Sequence, residues 1–155
     1  MRYVPYGRQI RDPDTDQFQG ISLTAFELRD DDKGGMSVTW VEHYGPKQGT
    51  TYDAAAACFR DSLDKKKLAP KAAFAIGNAG ATRAVAKEHK KQIRLVHAPD
   101  GTNTGHVEIR KFSDEDYALL EALARDVFTE HVLVAKMAPP AISTPPIPVK
   151  VKKGG

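Results

Sequence analysis

Ile93-Arg-Leu-Val-His-Ala-Pro-Asp-Gly-Thr-Asn-Thr-Gly-His-Val-Glu-Ile-Arg110 is the stretch on which the reading of the fold turns. On its first limb Ile93, Leu95 and His97 alternate with Arg94 and Val96. On its second, Val107 and Ile109 alternate with His106, Glu108 and Arg110. Alternation with a period of two marks a strand that buries one face. The residues between the limbs, Pro99, Asp100, Gly101 and Asn103, favour a turn. The stretch therefore predicts a β-hairpin. Placing Leu95 opposite Val107 on the buried face sets His97 against Gly105 and turns His106 to the other face.

Working outward, Met36, Val38 and Trp40 alternate with Ser37 and Thr39. Together with residues 22–29 and the intervening Asp30-Asp-Asp-Lys-Gly-Gly35, they predict an earlier hairpin. Thr50 or Thr51 is suited to cap a helix that carries Tyr52, Ala56, Phe59 and Leu63 on one face. Lys65, Lys66 and Lys67 complement the dipole of its last turn, and Pro70 ends it. Residues 72–76 predict a short buried strand, and residues 81–90 a short helix. Ser113-Asp-Glu-Asp116 resembles a capping box, with Asp116 in place of Glu or Gln. It opens a helix expected to reach Lys136, with Tyr117, Leu120, Ala124, Val127, Phe128 and His131 on its apolar face. Phe59, Leu63, Leu120, Val127 and Phe128 are assigned to the core. This order predicts an α+β fold, a mainly antiparallel sheet of about five strands packed against two principal helices. The domain is expected over residues 20–137, with residues 1–19 as a polar arm and residues 138–155 as a disordered Pro/Lys-rich tail ending in Gly154-Gly155.

Composition bounds the function classes. The 155 residues suit one domain, and 41% hydrophobic content supports a core. No apolar run approaches the roughly 18 residues of a membrane span, so no membrane partner is expected. The first residues lack a signal-peptide stretch, and one cysteine, Cys58, forms no internal disulfide. Both point to the cytoplasm. A net charge of +3 permits nucleic acid without indicating it. Asp12, Asp14 and Asp16 have the spacing of a calcium loop, but Gln17 and Leu23 stand where that loop needs Gly and Glu, so calcium is rejected. No metal and no cofactor are expected.

Three constellations compete for function. His97 and His106 could serve a phosphate-directed hydrolase or nuclease as catalytic pair, if a bulge brings the imidazoles together. The plain alternative is a polar turn in which His97 hydrogen-bonds to backbone. Gly77-Asn-Ala-Gly80, between a strand and a helix, is an anion-site candidate through Gly77, Gly80, Arg83 and Arg94. It fits neither a Walker loop nor a dinucleotide fingerprint, and a tight structural turn is its alternative. In the tail, Ile147, Val149 and Val151 are candidates for contact with a protein partner, and Gly154 and Gly155 for conjugation or processing. Cys58 and His131 lie on helix faces and are read as core residues, and Trp40 and Tyr44 as anchors of the core or its rim.

Several segments taken together resemble a group of small uncharacterised bacterial proteins. These are Thr24-Ala-Phe-Glu-Leu-Arg29, Met36-Ser-Val-Thr-Trp-Val-Glu-His-Tyr44, Phe74-Ala-Ile-Gly-Asn-Ala-Gly80, Val96-His-Ala-Pro99, and then Asn103, His106 and Ile109. The resemblance covers residues 20–135 and implies one compact bacterial domain, with a link to mobile-element or phage-defence gene clusters. Relatives often carry His-Asp-Pro where this chain has His97-Ala98-Pro99, so a carboxylate beside the first histidine is missing here. The leading expectation is a non-enzymatic accessory or interaction protein.

Overall fold

In a computed structural model, which describes residues 1–28, 34–46, 49–62 and 68–137, the chain is an α+β domain built on antiparallel sheets. Eight strands are seen among the described residues: β1 (Arg2–Val4), β2 (Gln9–Arg11), β3 (Phe18–Ile21), β4 (Gly35–Thr39), β5 (Ala73–Ile76), β6 (Arg94–His97), β7 (His106–Arg110) and β8 (Glu130–Leu133). The helices are α1 (Gly49–Asp61), α2 (Ala79–Glu88) and α3 (Tyr117–Ala122). One sheet has the order β1-β5-β8, a second the order β4-β7-β6, and β2-β3 form a separate hairpin. Mutual hydrogen bonds between the Met1 and Thr39 backbones, both 2.7 Å, join β1 to β4 and so couple the two sheets. None of the described helices is long and apolar enough to cross a membrane.

β5 is a fully apolar run because it is buried on both faces. Phe74 and Ile76 pack with Ala55 and Ala56 of α1, while Ala75 faces a second cluster around Phe26, Met36, Leu120 and Phe128. Within that cluster the Phe26 and Phe128 rings lie 4.9 Å apart. The predicted core residues Leu120, Val127 and Phe128 are buried, and Phe59 is half-buried. Leu63 and the Lys65–Lys67 run lie outside the described residues, as do residues 29–33, which include most of the expected 30–35 turn, and the tail with Ile147, Val149, Val151, Gly154 and Gly155.

Three parts of the fold differ from expectation. Residues 1–19 are no polar arm: Val4 is wholly buried and pairs with Ala73, and Arg2 is 3% exposed. A cation tolerates that position because its guanidinium donates to the carbonyls of Ala25 (2.6 Å) and Ser37 (2.8 Å). Residues 23–26 form a 3-10 turn capped by Ser22, and β4 pairs with β7 instead of with that segment. Of the three aspartates of the rejected calcium loop, Asp12 is engaged locally, its Oδ1 accepting from the Asp14 and Thr15 amides, and Asp16 is met by Lys71 and Tyr6. Finally, the C-terminal helix stops early. After Ala122 it widens into a π turn over residues 123–127, and the Phe128 N–H reaches back five residues to Leu123 O at 2.9 Å. The buried stripe is Leu119, Leu120, Leu123, Val127 and Phe128, and Tyr117 remains 61% exposed.

His131 is therefore a strand residue on β8, opposite Ala75. Its Nε2 is buried with no hydrogen-bond partner among the described residues, and its ring lies 5.0 Å from that of Phe18. Burial pushes its pKa below the ordinary imidazole value, against the opposing pull of the Phe128 carbonyl and the Glu130 carboxylate. The unfolded chain then takes up this proton more readily than the folded one. Stability is retained above the unfolded pKa of about 6.5 and lost as pH falls below it. Denaturation midpoints measured from pH 7 to pH 5 should fall for the natural chain and fall less for His131→Phe. Equal acid slopes in the two would refute this assignment.

Candidate ligand-binding cavity

The end of β4 and the junction between β5 and α2 face each other across the inner side of β6 and β7. Between them lies a cavity of about 410 Å³. Its floor is apolar, made by Ile76, Ile109 and Phe128, all buried. Gly77 is needed at this junction because a Cβ there would stand 3.0 Å from the Phe128 ring. Asn78 then opens α2, its Oδ1 accepting from the Gly80 and Ala81 amides at 2.8 and 3.1 Å. Thr82 Oγ1 donates to the Asn78 carbonyl, and Thr39 Oγ1 accepts from Asn103. The hydroxyls of the cavity wall are thus engaged. Arg83 and Glu42, both exposed at the rim, make no ion pair with a described residue. Trp40 completes the rim and is 47% exposed, so it anchors the mouth of the cavity instead of the core.

The β6–β7 register sets Leu95 against Ile109 and His97 against Val107, two residues from the expected pairing. A shift of two preserves the faces. His97 consequently lines the cavity with Leu95, Val107 and Ile109, while His106 does not. His97 Nε2 lies 2.9 Å from the Thr104 carbonyl. A carbonyl only accepts, so in the neutral ring Nε2 carries the hydrogen and Nδ1 keeps the lone pair. His106 has the opposite tautomer by the same reasoning, its Nδ1 donating to the Ala98 carbonyl at 2.6 Å. The structure does not bring these two imidazoles to one site.

Both imidazoles instead hold the 98–105 loop, and His43, which the sequence did not nominate, and Tyr44, read there only as an anchor of the core or its rim, share that work. His43 Nε2 lies 3.1 Å from Thr104 Oγ1, with its ring centroid 5.8 Å from that of His97. The Tyr44 hydroxyl donates to Asn103 Oδ1 and accepts from the Gly105 amide, both at 3.0 Å. Gly105 has no room for a side chain, since a Cβ would approach the Tyr44 ring to 2.7 Å. Burial raises the Tyr44 pKa, so its phenol keeps its proton for this bond. Among the described residues no three His, Cys, Asp or Glu side chains group as a metal site.

Of the four anion-site candidates, Gly77 and Arg83 reach the cavity together with His97. Gly80 does not line the cavity, although Ala79 before it and Thr82 after it do, and its amide is taken by Asn78. Arg94 sits on β6 opposite Arg110, exposed and away from the cavity. Cys58 is half-buried on α1. Trp40 and Glu42 had only a weak signal in the sequence: an aromatic at a strand end, followed at once by residues without strand alternation. Comparison with models of protein families, with curated proteins and with solved structures gives no match in any of the three.

Proposed function

We propose that this protein is a non-enzymatic binding module whose cavity holds a small anionic ligand with an apolar body. The observation that carries this reading is the convergence of Arg83 and His97, from different elements, on one cavity with an apolar floor. Such a combination suits small-molecule sites, which are mostly apolar with a few polar groups that fix orientation. A guanidinium without a carboxylate partner is matched by a phosphate or carboxylate. The positive end of α2 adds to the same preference.

Hydrolysis is the weaker reading. It needs a nucleophile beside a base, or two acid–base groups across one substrate. Here the threonine hydroxyls are engaged, His97 has one nitrogen without a partner among the described residues, and His106 faces away. Those bonds favour an accessory role.

Calorimetric titration with a panel of small phosphomonoesters and carboxylates tests the proposal. At least one should bind saturably, and Arg83→Ala should weaken it at least tenfold, about 1.4 kcal/mol. The melting temperature should hardly move, because Arg83 is exposed. No turnover of an aryl phosphodiester is expected. Absence of binding across the panel, or turnover abolished by His97→Ala, would overturn the proposal.

A further inference from the structure

We infer that the ligand of this cavity is a nucleoside monophosphate, its base laid on Trp40 and its phosphate held by Arg83. This inference rests on the binding-module reading and adds the class of ligand. It begins with an indole whose position packing does not explain. Trp40 is the single tryptophan of the chain, yet it stands 47% exposed on the rim of an apolar cavity. Small-molecule pockets are lined mainly by hydrophobic and aromatic side chains, and the rim of a cavity is where such a ring can meet a ligand.

The indole is also held ready. The Trp40 amide donates to Gly105 O at 2.8 Å, which ties the residue to the clasped 98–105 loop. Two imidazoles flank the ring without covering it flat: His97 meets it edge-on at 86° and 6.0 Å, and His43 is tilted at 45° and 5.8 Å. No described ring stacks parallel on Trp40. A planar base is a natural complement to an exposed indole face, and aromatic side chains hold bases of any identity by such stacking.

The remaining rim groups match the other parts of the same ligand. Arg83 supplies a forked donor for the phosphate oxygens. Glu42, an acceptor with no ion pair among the described residues, suits the amino or ring N–H donors of a base. The free Nδ1 of His97 suits a ribose hydroxyl as donor. A purely aliphatic anion would leave Trp40 and Glu42 without use. Inorganic phosphate alone would leave the apolar floor without use.

The single tryptophan makes the test direct. The full chain is titrated with adenosine 5′-monophosphate, guanosine 5′-monophosphate, ribose 5-phosphate and adenosine, following Trp40 fluorescence and calorimetric heat. At least one nucleotide should quench the emission saturably and bind at least tenfold more tightly than ribose 5-phosphate. Trp40→Leu, read by calorimetry, should abolish the preference, so that the variant binds that nucleotide no more tightly than it binds ribose 5-phosphate. Should that variant fail to fold, the quenching and the nucleotide-to-sugar ratio in the natural chain decide the matter. Equal binding of nucleotide and ribose 5-phosphate without quenching would overturn this inference and leave the anion cavity standing. Binding of carboxylates but of no phosphate would overturn it likewise, and silence of both classes would remove the cavity reading itself. A short oligoribonucleotide binding far more tightly than either monophosphate would replace the inference with a polymer-binding surface.

Discussion

Truncating Phe128 to alanine is expected to lower the unfolding free energy by about 3–5 kcal/mol. The ring is 3% exposed and packs 4.9 Å from Phe26, which is wholly buried. It sits where the π turn gives way to β8, so it secures both elements at once. Its other side is the cavity floor, against Gly77. Removing it extends an existing hollow into the core, which leaves few neighbours able to collapse into the gap. For a domain whose total stability is about 5–15 kcal/mol, that is a large fraction. Urea denaturation of the variant should show a much lower midpoint with a similar slope. A loss under about 1 kcal/mol would mean that Phe128 is not a core residue.

Replacing Arg2 with alanine should cost about 3 kcal/mol, because it leaves several carbonyls without their donor and a buried acceptor left unsatisfied costs about 1–3 kcal/mol. Its guanidinium serves the 3-10 turn over 23–26 through Ala25, β4 through Ser37, and Glu27 O at 3.4 Å. Three carbonyls on two segments are thereby tied to β1. Arg2→Lys should recover only part of the loss, because an ammonium cannot reproduce the fork. Wild-type stability in Arg2→Lys would show that charge alone, and not the fork, matters here.

These two residues mark the limits of what the sequence makes legible. Phe128 is readable as core from its place on an apolar helical stripe, even though the helix ends sooner than the stripe implies. The β-prone run His131-Val132-Leu133-Val134 was the available sign of that ending, but it competes with a helical period that continues through it. Arg2 is unreadable as core, because local composition places a cation outside and only tertiary carbonyls reverse that. Strand faces are legible where strand partners are not. Alternation locates the face of β4 at Met36 and Val38 but fails at its end, where Thr39 is buried and Trp40 exposed, and its partner β7 lies far along the chain. A local hairpin with residues 22–29 is the cheaper guess in loop entropy, and the fold does not take it.

The candidate site divides in the same way. Gly77, Arg83 and His97 each carry a chemical reason visible in sequence, as a tight turn, a cation after it, and a titratable strand end. Their convergence depends on β5 and β6 facing one cavity, which no local pattern states. The separation of His97 from His106 follows from parity alone and survives a register two residues off. Trp40, Glu42, His43 and Tyr44 gain their roles only when the 41–44 turn meets the 98–105 loop.

The nitrogen-15 spectrum of the imidazole rings, recorded with and without a bound phosphomonoester, tests the central claim most directly. The account predicts an Nε2–H tautomer for neutral His97 and an Nδ1–H tautomer for neutral His106, with ligand moving the His97 Nδ1 signal and leaving His106 in place. Equal ligand-induced shifts at both histidines, or movement of His106 alone, would contradict it.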